Sequence, residues 1–239
     1  MNTFCKSRWW ICLSICVALM YQPAFAAPPA KVRLFILSGQ SNMVGLNPDV
    51  SFTPALKKAF PDDELIVVKH AQGGQPIRRW YKAWKAPANA ELKAANEKPG
   101  DLYDGLMARV KLAMQGKTAD SITFVWMQGE RDARGGLSGV YAEALKELIK
   151  QLRGDLKRPD VAVVIGRLSD FQKGEKHWDA VRAAQEKVAD DDLRAAWVDT
   201  DDLNGPKNDL HYTKEGYAEL GRRFAAKAIE LVSRQVPSH

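Results

Sequence analysis

The sequence predicts an α/β fold: a three-layer α/β/α sandwich on a mostly parallel sheet of about five strands. Three observations carry this. Short β-branched apolar runs with little polar alternation recur along the chain, as in strands covered on both faces. Segments of helical periodicity lie between them, which implies right-handed crossovers to parallel neighbours. No internal repeat, linker or second core interrupts the pattern, so one domain is expected over residues 27–239, with its patterned part at 31–234.

The elements follow in order. Residues 32–37 form the first strand, ending at Ser38-Gly39, and residues 64–68 the second, closing at His70. A helix is expected over 102–114. The third strand, 121–126, ends at Gln128-Gly129. Residues 138–152 make a clearer helix, with Ser138 as candidate N-cap and Tyr141, Leu145, Leu148, Ile149 and Leu152 on one face. Residues 161–165 and 193–198 complete the sheet. Trp178, Val181, Ala184 and Val188 mark a helix between them. Tyr217, Leu220, Phe224, Ala228, Ile229 and Val232 mark a last one, entered at Thr213.

The first 26 residues stand apart. Lys6 and Arg8 precede an apolar run from Trp9 to Tyr21, and Ala24-Phe25-Ala26 is a small-x-small cleavage pattern. The run is short for a membrane span, which needs about 20 residues, so it reads as a signal peptide with cleavage near Ala27. The mature protein is then expected to be secreted or periplasmic, with no membrane attachment. Cys5, Cys12 and Cys16 are the only cysteines, so thiol and disulfide chemistry leave with the leader. The leader holds two cations and no acid, so net charge falls from +6 to +4. That bias is too small to argue for nucleic acid. At 46% hydrophobic and 27% charged, the chain is neither disordered nor a multi-span membrane protein.

In an open parallel α/β sheet, ligands bind at the carboxyl ends of the strands. Residues 38–43, 70–80, 128–134, 166–171 and 199–212 are therefore the ones to inspect. Ser41 follows the first strand on a tight turn into a helix, where a serine is either a nucleophile or a cap. Gly73-Gly74 follows the second; such a turn either presents an N–H to an oxyanion or is a plain turn. Gln128, Gly129, Glu130, Arg131 and Asp132 follow the third, offering an amide and two carboxylates, or else a solvated loop with an Arg131 ion pair. His211 lies just before the last helix, flanked by carboxylates after the fifth strand.

Together, Gly39-Gln40-Ser41-Asn42-Met43, Gly73-Gly74, Gln128-Gly129-Glu130 and Asp209-Leu210-His211 resemble the SGNH-hydrolase superfamily. The nearest likeness is to its sialate O-acetylesterase-like branch and carbohydrate esterase family 6. It extends to Trp178 with residues 181–185 and to residues 216–225. The resemblance implies a flavodoxin-like SGNH fold and ester hydrolysis through a covalent acyl-enzyme. Ser41 would be the nucleophile and His211 its base, with Ser41 N–H, Gly74 N–H and the Gln128 side chain holding the oxyanion. It implies no cofactor and no metal. Many relatives carry an aspartate three residues before the histidine; here Asn208 stands there. Glu130 is the preferred third member and Asp209 the alternative acid.

The implied partner is an acetylated oligo- or polysaccharide; xylan, pectin and sialic acid are all open. Residues 78–101 lack a clear strand or helix pattern and are a candidate substrate rim. Trp80 and Trp84 either stack on sugar rings or pack onto the core, and Arg78 and Arg79 would meet acidic sugars. Two rival readings stand beside this one. One is a lipase or thioesterase of the same superfamily; the other is a glycan-binding module weakened by Asn208.

Overall fold

The computed structural model describes residue 1 and residues 30–87 and 98–234. Residues 2–26 of the expected signal peptide, and residues 88–97 of the expected rim, lie outside the described residues.

The apolar runs become five strands, and a helix follows each of them. In chain order these are β1 (Val32–Gly39), α1 (Ser41–Gly45), α2 (Phe52–Ala59), β2 (Glu64–Ala71), α3 (Asp101–Met114), β3 (Ser121–Met127), α4 (Glu130–Arg134) and α5 (Ser138–Leu156). Then come β4 (Ala162–Gly166), α6 (Lys176–Asp190), β5 (Ala195–Val198) and α7 (Lys214–Arg234). The strand order is β2-β1-β3-β4-β5 and every pairing is parallel. The sheet is thus wholly parallel, with the doubly wound order expected of a flavodoxin-like fold.

Every residue of β3 and β4 is buried, which is why their sequences show no polar alternation. Helix α7 packs on α2 and covers β3, β4 and β5, whereas α5 packs on α6 and α3 lies against β2. Within the core, Phe35 meets Phe52 edge-to-face at 5.8 Å, and Phe124 lies beside Trp126 at 5.7 Å.

Some boundaries move. The fifth strand starts at Ala195, because Leu193 is 93% exposed and belongs to the preceding turn. Ser138 is the first helical residue rather than the cap, and its hydroxyl meets His177 Nδ1 at 2.8 Å. Thr213 does act at the entry to α7: its hydroxyl oxygen accepts from Gly216 N–H at 2.9 Å.

Candidate functional site

The site forms where the β1, β2, β3 and β5 ends converge. Gly39 closes β1 at φ +145°, and a Cβ there would lie 1.9 Å from the Met127 carbonyl oxygen. Only glycine permits this approach of the two strand ends. Gln40 N–H then donates to Met127 O at 2.9 Å, and Ser41 begins α1 half-buried at the sheet edge. Gln72 N–H donates to Gly39 O at 3.1 Å, which carries the turn after β2 across β1. Gly73 consequently sits against Ser41; a Cβ on it would be 3.7 Å from Ser41 Cβ. Gly74 follows at φ +69° with open space around it. Among the described residues, neither Ser41 N–H nor Gly74 N–H donates a hydrogen bond.

The turn is held from below. Gln128 Nε2 donates to Gln75 O at 3.0 Å and to Asp132 Oδ2 at 2.5 Å. Asp132 Oδ2 also accepts from Ile77 N–H at 2.9 Å. This differs from the expected place of the Gln128 amide. Fully buried, it spends both hydrogens inside the protein and has none left for an oxyanion. Its function in this arrangement is to fix residues 75–77, and through them the Gly73-Gly74 turn.

Glu130 starts α4 and is also buried. Its Oε1 accepts from Asn42 Nδ2 at 3.0 Å, and its Oε2 has no partner among the described residues. Burial pushes this carboxyl up to about 7, and Asp132 up to about 6, since charge is costly away from water. The folded state therefore keeps a proton on Glu130 that the unfolded chain releases above about pH 4.5. Stability from this group is complete below that pH and lost as pH rises past about 7. Glu130→Gln should accordingly gain in Tm relative to the native protein between pH 5 and pH 8. A constant difference across that range, by calorimetry, would mean that the carboxyl titrates normally.

Asn42, next to Ser41, makes the remaining link. Its Nδ2 also donates to Leu210 O at 3.2 Å, and Tyr217 O–H donates to its Oδ1 at 3.1 Å. His211 follows Leu210 and is exposed. Tyr212 is buried beyond it, donating to Thr200 Oγ1 at 3.0 Å, which itself donates to Arg167 O at 2.7 Å. The His211 segment is thus anchored on both sides while its ring is open. Beside it lies a cavity of about 520 Å³ lined by Phe171, Asn204, Asp209, Leu210, His211 and Tyr212 among others.

Neither candidate acid touches the His211 ring. No hydrogen bond or ion pair among the described residues joins His211 to Glu130 or to Asp209, which is exposed. Asn208 adopts φ +48°, and its Oδ1 accepts from Asn204 Nδ2 at 2.7 Å.

The expected rim divides. Trp80 is a core residue: fully buried, edge-to-face on Trp126 at 5.1 Å, with its indole N–H donating to Ser38 Oγ at 2.9 Å. No face of it is left for a sugar, which corrects its placement on the rim. Trp84 is half-buried with the Arg78 guanidinium 5.6 Å from its ring. Arg79 donates to Asp101 Oδ1 and Gln75 Oε1, each at 2.9 Å. Sequence reasoning missed the roles of Asn42 and Asp132. Both lie inside the motif blocks that drew attention to Ser41 and Glu130. Among the described residues, no group of three or more His, Cys, Asp or Glu is arranged to hold a metal ion.

The family model of the sialic acid-specific acetylesterases, a family of carbohydrate esterases, matches residues 44–230. A probable carbohydrate esterase of Arabidopsis thaliana is 26% identical over 185 residues, covering 76% of this chain. The match spans 62% of that protein's length. The crystal structure of the Arabidopsis protein superposes with a TM-score of 0.65 at 21% identity, over 87% of this chain and all of that one. A carbohydrate acetylesterase from Xanthomonas citri gives a TM-score of 0.62 at 19% identity, over 86% of this chain and 57% of that one. NanS gives 0.61 at 14% identity, over 88% of this chain and all of that one.

Proposed function

Because the chain belongs to the sialic acid-specific acetylesterase family of carbohydrate esterases, we propose that it is a serine esterase that removes O-acetyl groups from a carbohydrate. One observation carries the reading: Ser41 meets the Gly73-Gly74 turn on one side, while its neighbour Asn42 holds the residue before His211 on the other.

In this reaction Ser41 Oγ attacks the acetyl carbonyl as His211 takes its proton. The tetrahedral oxyanion is met by the N–H groups of Ser41 and Gly74, which have no other acceptor among the described residues. Collapse expels the sugar alkoxide, which receives the proton from His211. Water, deprotonated by His211, then releases acetate from Ser41. Glu130 serves as the third member of the set from its buried position beneath Asn42. Signal cleavage near Ala27 and export bring the enzyme to polysaccharide outside the cytoplasm; the leader pattern supports this.

Turnover of p-nitrophenyl acetate against p-nitrophenyl octanoate tests the reading. Fast acetate with slow octanoate is the expected result. Fast octanoate would instead mark a lipase or thioesterase. Asn208, bonded to Asn204 and carrying no charge, favours the second rival reading, a glycan-binding module, for which neither ester would turn over.

A further inference from the structure

Asn42 has two amide hydrogens and spends both across the site, on Glu130 Oε1 at 3.0 Å and on Leu210 O at 3.2 Å. Its Oδ1 is taken by Tyr217 O–H at 3.1 Å. One buried amide thus joins α1, α4, α7 and the His211 segment. It is adjacent to the nucleophile, and its acceptor on the far side is the residue adjacent to the base. No other hydrogen bond to the Leu210 carbonyl exists among the described residues. Glu130 reaches none of this directly: it is buried, bonded to Asn42, and makes no contact with the His211 ring.

We propose that Glu130 is a positioning residue acting through Asn42: Glu130 Oε1 orients the Asn42 amide, and that amide sets the Leu210 main chain so that His211 faces Ser41. The proposal rests on the serine-esterase reading above and adds how its third member works. In the usual arrangement a carboxylate bonds the histidine ring and stabilises the imidazolium, so its charge is essential. Here what is required of residue 130 is an acceptor oxygen at one place. An amide oxygen supplies that as well as a carboxylate does. Misplacing a catalytic group by about 1 Å costs on the order of 10²-fold in rate.

The test is steady-state kinetics of Glu130→Gln, Glu130→Ala and Asn42→Leu on p-nitrophenyl acetate. Glu130→Gln keeps the acceptor and should retain at least about tenfold more kcat than Glu130→Ala, with the pH profile of kcat/KM unmoved. Glu130→Ala and Asn42→Leu should each lose about 10²-fold in kcat with KM little changed, since misalignment affects the reacting groups and not substrate capture. A Glu130→Gln loss as large as that of Glu130→Ala would overturn the proposal, because charge and not an acceptor would then be needed. So would native turnover by Asn42→Leu. If Asn42→Leu does not fold, the Glu130 pair alone decides. Undiminished turnover by Ser41→Ala would sink the esterase mechanism itself, a separate failure.

Discussion

Ser41→Ala is expected to lower kcat on p-nitrophenyl acetate by at least about 10³-fold, as removal of a nucleophile does. The protein should still fold. The Ser41 hydroxyl makes no hydrogen bond among the described residues, so its loss orphans no buried partner. The measurement is therefore a rate set beside a melting curve. A folded variant with native turnover would place the chemistry on another residue. Residual turnover above the uncatalysed rate is consistent with the account, because the N–H groups of Ser41 and Gly74 remain to meet an oxyanion.

Gly39→Ala is expected to have the largest effect on folding. The added Cβ would stand 1.9 Å from the Met127 carbonyl oxygen at a backbone φ of +145°. The obstacle is main chain at the end of the fully buried strand β3, so no side-chain rotation relieves it. Opening the β1 and β3 ends would also break the 2.9 Å bond from Gln40 N–H to Met127 O, directly beneath Ser41. A loss above about 4 kcal/mol, or failure to accumulate folded protein, is the expected outcome. Gly74→Ala is the useful contrast. Nothing lies within 4 Å of a Cβ there, so only the left-handed backbone cost of roughly 1–2 kcal/mol applies. Equal melting temperatures for the two variants would contradict the close approach at Gly39.

The sheet was readable because burial on both faces writes itself into local sequence. The runs at 32–37 and 121–126 contain almost nothing but apolar and β-branched residues. Helix α2 was not anticipated, although Phe52 and Leu56 are fully buried, since its eight residues give little more than two turns of pattern. The site was readable in outline for a different reason: chemistry-bearing residues recur after strands, and topology places strand ends together. Side-chain direction was not readable. Trp80 sits in a stretch with no periodicity, and its partner Trp126 lies on a strand that the sheet brings beneath it. The Gln128 amide points inward because Asp132, four residues later, and the Gln75 carbonyl offer it two acceptors inside the protein. Asn42 connects to residues 88, 168 and 175 positions away, separations that carry no local signal.

The central claim is that Ser41 forms the acyl-enzyme, and covalent labelling tests it most directly. The protein is treated with a fluorophosphonate, which reacts only with an activated serine, and the modified residue is found by peptide mass mapping. The account predicts one label per chain, on Ser41, with loss of p-nitrophenyl acetate turnover in step with labelling and no label on Ser41→Ala. Label on a different serine, or full turnover by a protein labelled at Ser41, would contradict it.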